Sequence, residues 1–235
     1  MKKMLTSFSL FEKGLWLVSV AVIIASSLLC QCGIGMSVIA SLIGVTALIF
    51  IAKGHYIGQL LVMVFAVFYG ILSVQQKYYG EAFTYLGMTL PTAFITMIVW
   101  IRHPYQDSKT VAVAGKLGMK KGIGLIAAAV VVTVGSYFVL RALGNAQLLV
   151  STLSVATSFF AAGLMFFRSP YYAIAYAAND VVLVVLWVMA SFHDRSSIPV
   201  VACFVMFLFN DCYGYYSWKK MKKYQHQQTK KQRLE

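Results

Sequence analysis

Eight apolar stretches, each near the length that crosses a bilayer, recur along this chain with mostly short connections between them. A helical crossing of the hydrocarbon layer needs about 20 such residues. The stretches fall at 15–31, 34–52, 56–75, 82–101, 122–141, 147–167, 171–192 and 198–218. Lipid offers the backbone no hydrogen-bond partner, so each crossing must be a helix. The expected fold class is an all-α membrane protein with eight transmembrane helices. Only 11% of the residues are charged, against about 25% in soluble domains, which leaves no room for a sizeable soluble catalytic domain. The opening MKK resembles the start of a secretion signal, but the apolar run after it is long and CQCG is a poor cleavage site. The first stretch is therefore read as a retained helix.

Charge placement orients the bundle. With the N-terminus on the cytoplasmic side, only Lys77, Arg141 and Arg195 of the twenty Lys/Arg residues fall on the other side. The positive-inside rule then puts both termini in the cytoplasm, which requires an even number of spans. The formal net charge of +13 would suggest nucleic acid in a soluble protein. Here it gathers in the polar connection 102–121 and in the tail 219–235, the pattern of a topology signal and of contact with anionic lipid. No nucleic-acid partner is expected.

Two internal segments look related. AKGHYIGQLLVMVFAVFYG, followed by IVWIRHP, parallels FRSPYYAIAYAANDVVLVV, followed by YSWKKMK. Lys53 and Arg168 stand 115 residues apart, and Trp100 and Trp218 stand 118 apart. The organisation expected is 1 + 3 + 1 + 3: an extra N-terminal helix (15–31), a three-helix repeat (34–101), a linker helix (122–141) and a second, parallel repeat (147–218).

The polar residues inside these stretches carry the functional argument. Glu12, Glu81, Asp107, Asp194 and Glu235 fall in loops or at span ends, where water is expected to solvate them, whereas Asp180 and Asp211 fall within spans. A carboxylate at a helix centre costs about 2.5–3.5 kcal/mol even on the lenient insertion scale, so such a residue faces a bundle interior or a watery cavity. Tyr176, Asp180 and Trp187 lie close to one face of the seventh span, with Asn179 about 100° round. In the eighth, Asp211, Gly214 and Trp218 share a face, and Phe207, Asn210 and Tyr213 define its neighbour. Tyr85, Thr89, Thr92 and Thr96 form a narrow stripe on the fourth span, and Gln59, Tyr69 and Ser73 mark the third. Amides, carboxyls, hydroxyls and rings of this kind can hydrogen-bond and stack a flat polar solute.

Plainer roles compete for several of these residues. Thr89 and Thr96 read as packing or self-bonded hydroxyls. Trp218, with Tyr213, Tyr215 and Tyr216, falls where an interfacial aromatic belt is expected. Asp211 is either a solute contact or a cap near that belt, and Asn210 is preferred to it for the solute. The four cysteines (Cys30, Cys32, Cys203, Cys212) match no metal spacing and read as inert buried thiols. The four histidines are scattered at segment ends. No H-E-x-x-H or G-x-S-x-G occurs, so an intramembrane enzyme is disfavoured and no metal or cofactor is expected. A solute transporter fits best.

KYYGEAFTYLGMTLP, YAANDVVLVVLW and NDCYGYYSWKK, within the eight-span layout, resemble the PnuC vitamin transporters over about residues 10 to 222. That resemblance implies two parallel three-helix bundles like those of SWEET proteins, set in a bacterial cell membrane. It implies facilitated diffusion of nicotinamide riboside, trapped inside by phosphorylation, or of thiamine, riboflavin or deoxynucleosides on the same fold. By that likeness, Asn179 and Asn210 would bond the ribose or carboxamide, and Trp187, Tyr69 or Tyr85 would stack on the ring. Asp180 and Asp211 would face a cationic pyridinium, with Tyr176, Gln59 and Thr92 completing the site. Many members carry Gln or Asn shortly after the proline of the fourth span, where this chain has Ala93. The partners expected are a small solute and the lipid bilayer, with a homo-oligomer left open.

Overall fold

A computed structural model describes residues 8–31, 33–106, 109–113 and 117–232. Lys2, Lys3, Cys32, Asp107, Lys116, Arg233 and Glu235, which entered the reading above, lie outside them. The chain is all-helical among these residues: α1 (Leu10–Leu29), α2 (Met36–Ala52), α3 (Ile57–Gln75), α4 (Tyr79–Arg102), α5 (Met119–Ala142), α6 (Leu148–Phe166), α7 (Tyr172–Ser191) and α8 (Ile198–Gln232). Seven of them are long and apolar enough to cross a membrane, and α2 is a shorter apolar helix.

Local chemistry sets the helix ends. Helix α1 begins at Leu10, before the apolar stretch, because Ser9 and Glu12 form a reciprocal capping box. Helix α4 widens to a π-helix over Phe83–Thr89, just before Pro91. Proline has no N–H to give, and the Leu90 N–H reaches back five residues to the Tyr85 carbonyl. Helix α8 does not stop at Trp218. Its lysines and glutamines are good helix formers, and Gln225 grips the 111–113 segment, accepting from the Val113 N–H at 2.9 Å and donating to the Val111 carbonyl at 3.1 Å.

Packing order explains where a cavity can sit. Contacts run α2–α3–α4–α6–α7–α8 and back to α2, a closed ring of six helices. Helix α1 lies outside the ring against α2 and α8, and α5 lies outside it against α6 and the start of α4. The ring's core is apolar and aromatic (Val45, Phe65, Tyr69, Leu183, Trp187, Phe204), while large side chains such as Val131, Phe138 and Phe192 face outward, as lipid-facing surfaces require.

Several groups that the sequence suggests are solvated are buried instead. Glu12 is buried, paired with Lys53 at 3.0 Å and accepting from the Tyr213 hydroxyl at 2.7 Å. Glu81 is also buried, at the start of α4. Trp218 belongs to no exposed belt: it is fully buried, donates to the Ile51 carbonyl at 2.8 Å and packs on Trp100 and Tyr172. Nor are the cysteines uniformly inert buried thiols, since Cys30 is disulfide-bonded and Cys212 is exposed.

The Glu12–Lys53 pair joins α1 to the turn after α2, and Tyr213 adds α8. Removing one partner strands a buried charge, so Lys53→Met should lower unfolding stability by about 3 kcal/mol. Chemical unfolding in detergent, compared with the Lys53→Met/Glu12→Gln double variant, measures this; the double variant should recover part of the loss.

Candidate functional site

A narrow cavity with about 60 Å³ of free space occupies the centre of the ring. All six ring helices line it, and neither α1 nor α5 does: Gly44 and Ile51 come from α2, Gln59 and Phe65 from α3, Ser158 and Met165 from α6, and Phe207 from α8. The π-helical turn and Pro91 present Tyr85, Thr89, Thr92, Ala93 and Thr96 on one inward face of α4. The stripe seen in the sequence is thus a wall. Thr92 still donates to the Met88 carbonyl at 2.7 Å, so its oxygen keeps acceptor capacity toward the cavity.

The polar centre is built from α7 and α8. Asn179 is buried, and its Oδ1 lies 2.7 Å from the Thr157 hydroxyl and 3.0 Å from that of Ser158. Both contacts fall on the oxygen, which leaves the Nδ2 hydrogens for the cavity. Asp180 and Asp211 line the same wall, both buried, with their carboxyls within hydrogen-bond reach of each other. The Asp180 Oδ2 has no hydrogen-bond partner. Tyr176 stands beside both carboxyls. Gln59 lies across the cavity, its amide donating to the Met165 sulfur at 3.0 Å. No Lys, Arg or His is among the lining residues.

Asn179, Asp180, Asp211, Tyr176, Tyr85, Gln59 and Thr92 therefore meet on one cavity. Tyr69 and Trp187 sit behind its wall as a plug, the Trp187 Nε1–H donating to the Tyr69 hydroxyl, with Phe65, Tyr85 and Phe204 rings packed around Tyr69. Asn210 lies off the wall: the one-residue step from Asp211, about 100° round α8, turns it toward α1, where its Nδ2 donates to Ser19 at 3.1 Å and to the Met206 carbonyl at 2.7 Å. Sequence reasoning passed over Ser158. Its signal was legible, because Ser151, Ser154 and Ser158 repeat at helical spacing on α6.

Paired side chains cross the bundle above and below the cavity. Toward Lys53, Trp100 and Trp218 meet at 5.5 Å between ring centres and Tyr172 abuts Trp218 at 4.9 Å. Toward the opposite loops, beyond the Tyr69–Trp187 plug, Gln76 donates to the Asp194 carboxylate at 2.7 Å. Hydrogen bonds from Ser196 and Gln76 hold Asp194 below the usual carboxylate range. A lowered pKa means that this tie contributes at neutral pH and is lost as the pH falls through the ordinary aspartate value, about 3.9, and below.

A family model described as "Nicotinamide mononucleotide transporter" matches residues 34–220, from just before α2 into α8. The chain is 28% identical over 189 residues to a nicotinamide riboside transporter PnuC of Neisseria mucosa, covering 79% of this chain and 72% of that protein. It is 24% identical over 192 residues to a nicotinamide riboside transporter PnuC of Haemophilus influenzae, covering 80% of each. It shares its fold with a crystal structure of the vitamin B3 transporter PnuC, at a TM-score of 0.81 and 24% identity, over 95% of this chain and 97% of that one.

Gly44 sets the width of the cavity where α2 passes α8. A Cβ there would come within 2.4 Å of the Phe207 ring and 3.1 Å of Phe65. Gly44→Ala should therefore push both rings inward and cost about 1–3 kcal/mol. The expected result is a lowered melting temperature together with weakened solute binding by isothermal titration; unchanged binding would remove Gly44 from the wall.

Proposed function

This chain belongs to the nicotinamide mononucleotide transporter family, a family of transporters and not of enzymes, and from that premise we propose that its solute is nicotinamide riboside. The observation that carries the choice is the electrostatic character of the cavity wall: two neighbouring carboxyls and no basic side chain among the lining residues. Two carboxylates this close cannot both stay ionised in a dry site, so the pair presents about one negative charge. A solute with a single positive charge complements it. The riboside has such a charge on its pyridinium ring, a carboxamide and hydroxyls for the Asn179 amide and Gln59, and a flat ring for Tyr85. A mononucleotide would bring a phosphate dianion against the carboxyls with no cation to meet it. Thiamine, also cationic, is the second reading; riboflavin and deoxynucleosides lack the charge.

The architecture we propose is eight spans arranged 1 + 3 + 1 + 3. Three pairs of residues 118 apart support it by meeting at successive depths: Gln76 with Asp194, Tyr69 with Trp187, and Trp100 with Trp218. Equivalent residues of two parallel repeats touch where they straddle a pseudo-twofold axis. Helices α1 and α5 occupy matching positions outside the ring, which fits the same symmetry. Both termini are placed in the cytoplasm, in keeping with the Lys/Arg asymmetry and with a disulfide at Cys30, which suits the oxidising side. The paired side chains above and below the cavity fit an alternating carrier. Transport is then facilitated diffusion, made unidirectional by phosphorylation of the solute inside.

Titration of the purified protein should find nicotinamide riboside bound at least about 100-fold more tightly than the mononucleotide, and more tightly than thiamine, riboflavin or deoxynucleosides. Asp180→Asn should weaken the cationic riboside about tenfold or more while sparing its uncharged dihydro form. Equal losses for both forms would refute the charge argument. Asn179→Ala should abolish riboside uptake into vesicles without lowering the melting temperature.

A further inference from the structure

Hydroxyls buried in membrane helices ordinarily satisfy themselves on the carbonyl one turn back. Ser41, Ser73 and Thr46 do so at 2.7–2.8 Å, as does Thr152 in α6. Thr84, Ser151 and Ser154 do not. Each is at most 1% exposed and each hydroxyl oxygen lacks a hydrogen-bond partner. They lie on the faces of α4 and α6 that meet around Glu81, which is fully buried and has the Ser154 and Tyr69 hydroxyls within hydrogen-bond reach.

The helices bring these five oxygens together. Glu81 and Thr84 are one turn apart on α4, and Ser151 and Ser154 are one turn apart on α6, so each pair shares a face. The two helices approach closely there: a Cβ on Gly80 would lie 2.9 Å from that of Ser151. Glu81 faces the hydroxyls of Ser154 and Tyr69, and no cationic side chain acts on it. A buried carboxylate without a counter-charge is very costly. A proton would neutralise Glu81 by itself, whereas a cation would draw on the lone pairs of the carboxylate and of the neighbouring hydroxyls together. A divalent ion calls for more negative charge, and the described residues hold no cluster of three or more acidic, His or Cys ligands. Oxygen donors carrying one net charge suit a hard monovalent cation.

We propose that a sodium ion binds between α4 and α6, held by the Glu81 carboxylate and the hydroxyls of Thr84, Ser151 and Ser154. The site lies outside the solute cavity, beside its plug: Glu81 meets Tyr69, whose hydroxyl receives the Trp187 Nε1–H. Occupancy fixes the Tyr69 end of that chain and so stabilises the closure on the side away from Lys53.

The test uses the full chain in lipid nanodiscs with no solute added, which keeps it independent of the transport reading. Melting temperature is followed against sodium chloride, with choline chloride holding ionic strength constant. Sodium should raise it by roughly 3 °C in a saturable manner, Glu81→Gln should lose the rise, and Ser151→Ala/Ser154→Ala should shift its midpoint about tenfold or more to higher sodium. Coincident wild-type curves in the two salts overturn the proposal, as does a rise that survives in Glu81→Gln. A melting temperature that follows pH but not sodium assigns the site to a proton instead and also overturns it. If Glu81→Gln does not fold, the serine double variant decides: an unchanged sodium midpoint sinks the idea.

Discussion

Burying a carboxylate at hydrocarbon depth costs about 2.5–3.5 kcal/mol even on the most lenient scale, and Asp180 and Asp211 are buried against each other. Such a pair is tolerable only if protein, not lipid, surrounds it on every side. The closed six-helix ring is the structure that meets this condition. Its outward faces are apolar, its polar side chains turn inward, and the two remaining helices brace it from outside at matching junctions. The aromatic closures follow from the same requirement, since rings can seal a polar chamber against bulk water and still separate without leaving charges stranded.

The electrostatics of the chamber and those of its surroundings are kept apart. At the end near Lys53, the acid–base pair of Glu12 and Lys53 is complete and serves as a fastener between α1, α2 and α8. Inside the ring, the carboxyls have no basic partner among the lining residues. Of the buried acidic groups, Glu12 has a lysine partner, while the cavity carboxyls have no basic side chain among their neighbours on the wall.

The helices and the inward stripe of α4 were legible in the sequence because they rest on periodicity alone. Tyr85, Thr89, Thr92 and Thr96 repeat at helical spacing, and so does the face carrying Asp180. What was not legible depended on which neighbour each face meets. Asn210 and Asp211 are adjacent in sequence, yet one turns to Ser19 of α1 and the other to the cavity. Trp218 looked like a belt residue because the lysines follow it, but α8 continues for another fourteen residues to Gln232 and the indole lies inside the bundle. Glu81 sits at a helix start, where the sequence suggests solvent; the close approach of α6 at Gly80 removes that solvent. Hydropathy reports distance from a segment end, not what packs over it.

The unbroken course of α8 has a mechanical consequence. Asp211 and Gln225 belong to the same rod, fourteen residues apart, which is about 21 Å at 1.5 Å per residue. One end forms the chamber wall and the other holds the 111–113 segment by two hydrogen bonds. A tilt of about 10° pivoting at Asp211 would carry Gln225 through roughly 4 Å, enough to pull both bonds apart. The 111–113 segment is thereby tied to the helix that forms part of the chamber wall, so that a tilt of α8 at the chamber would be felt, amplified, at the bundle's surface.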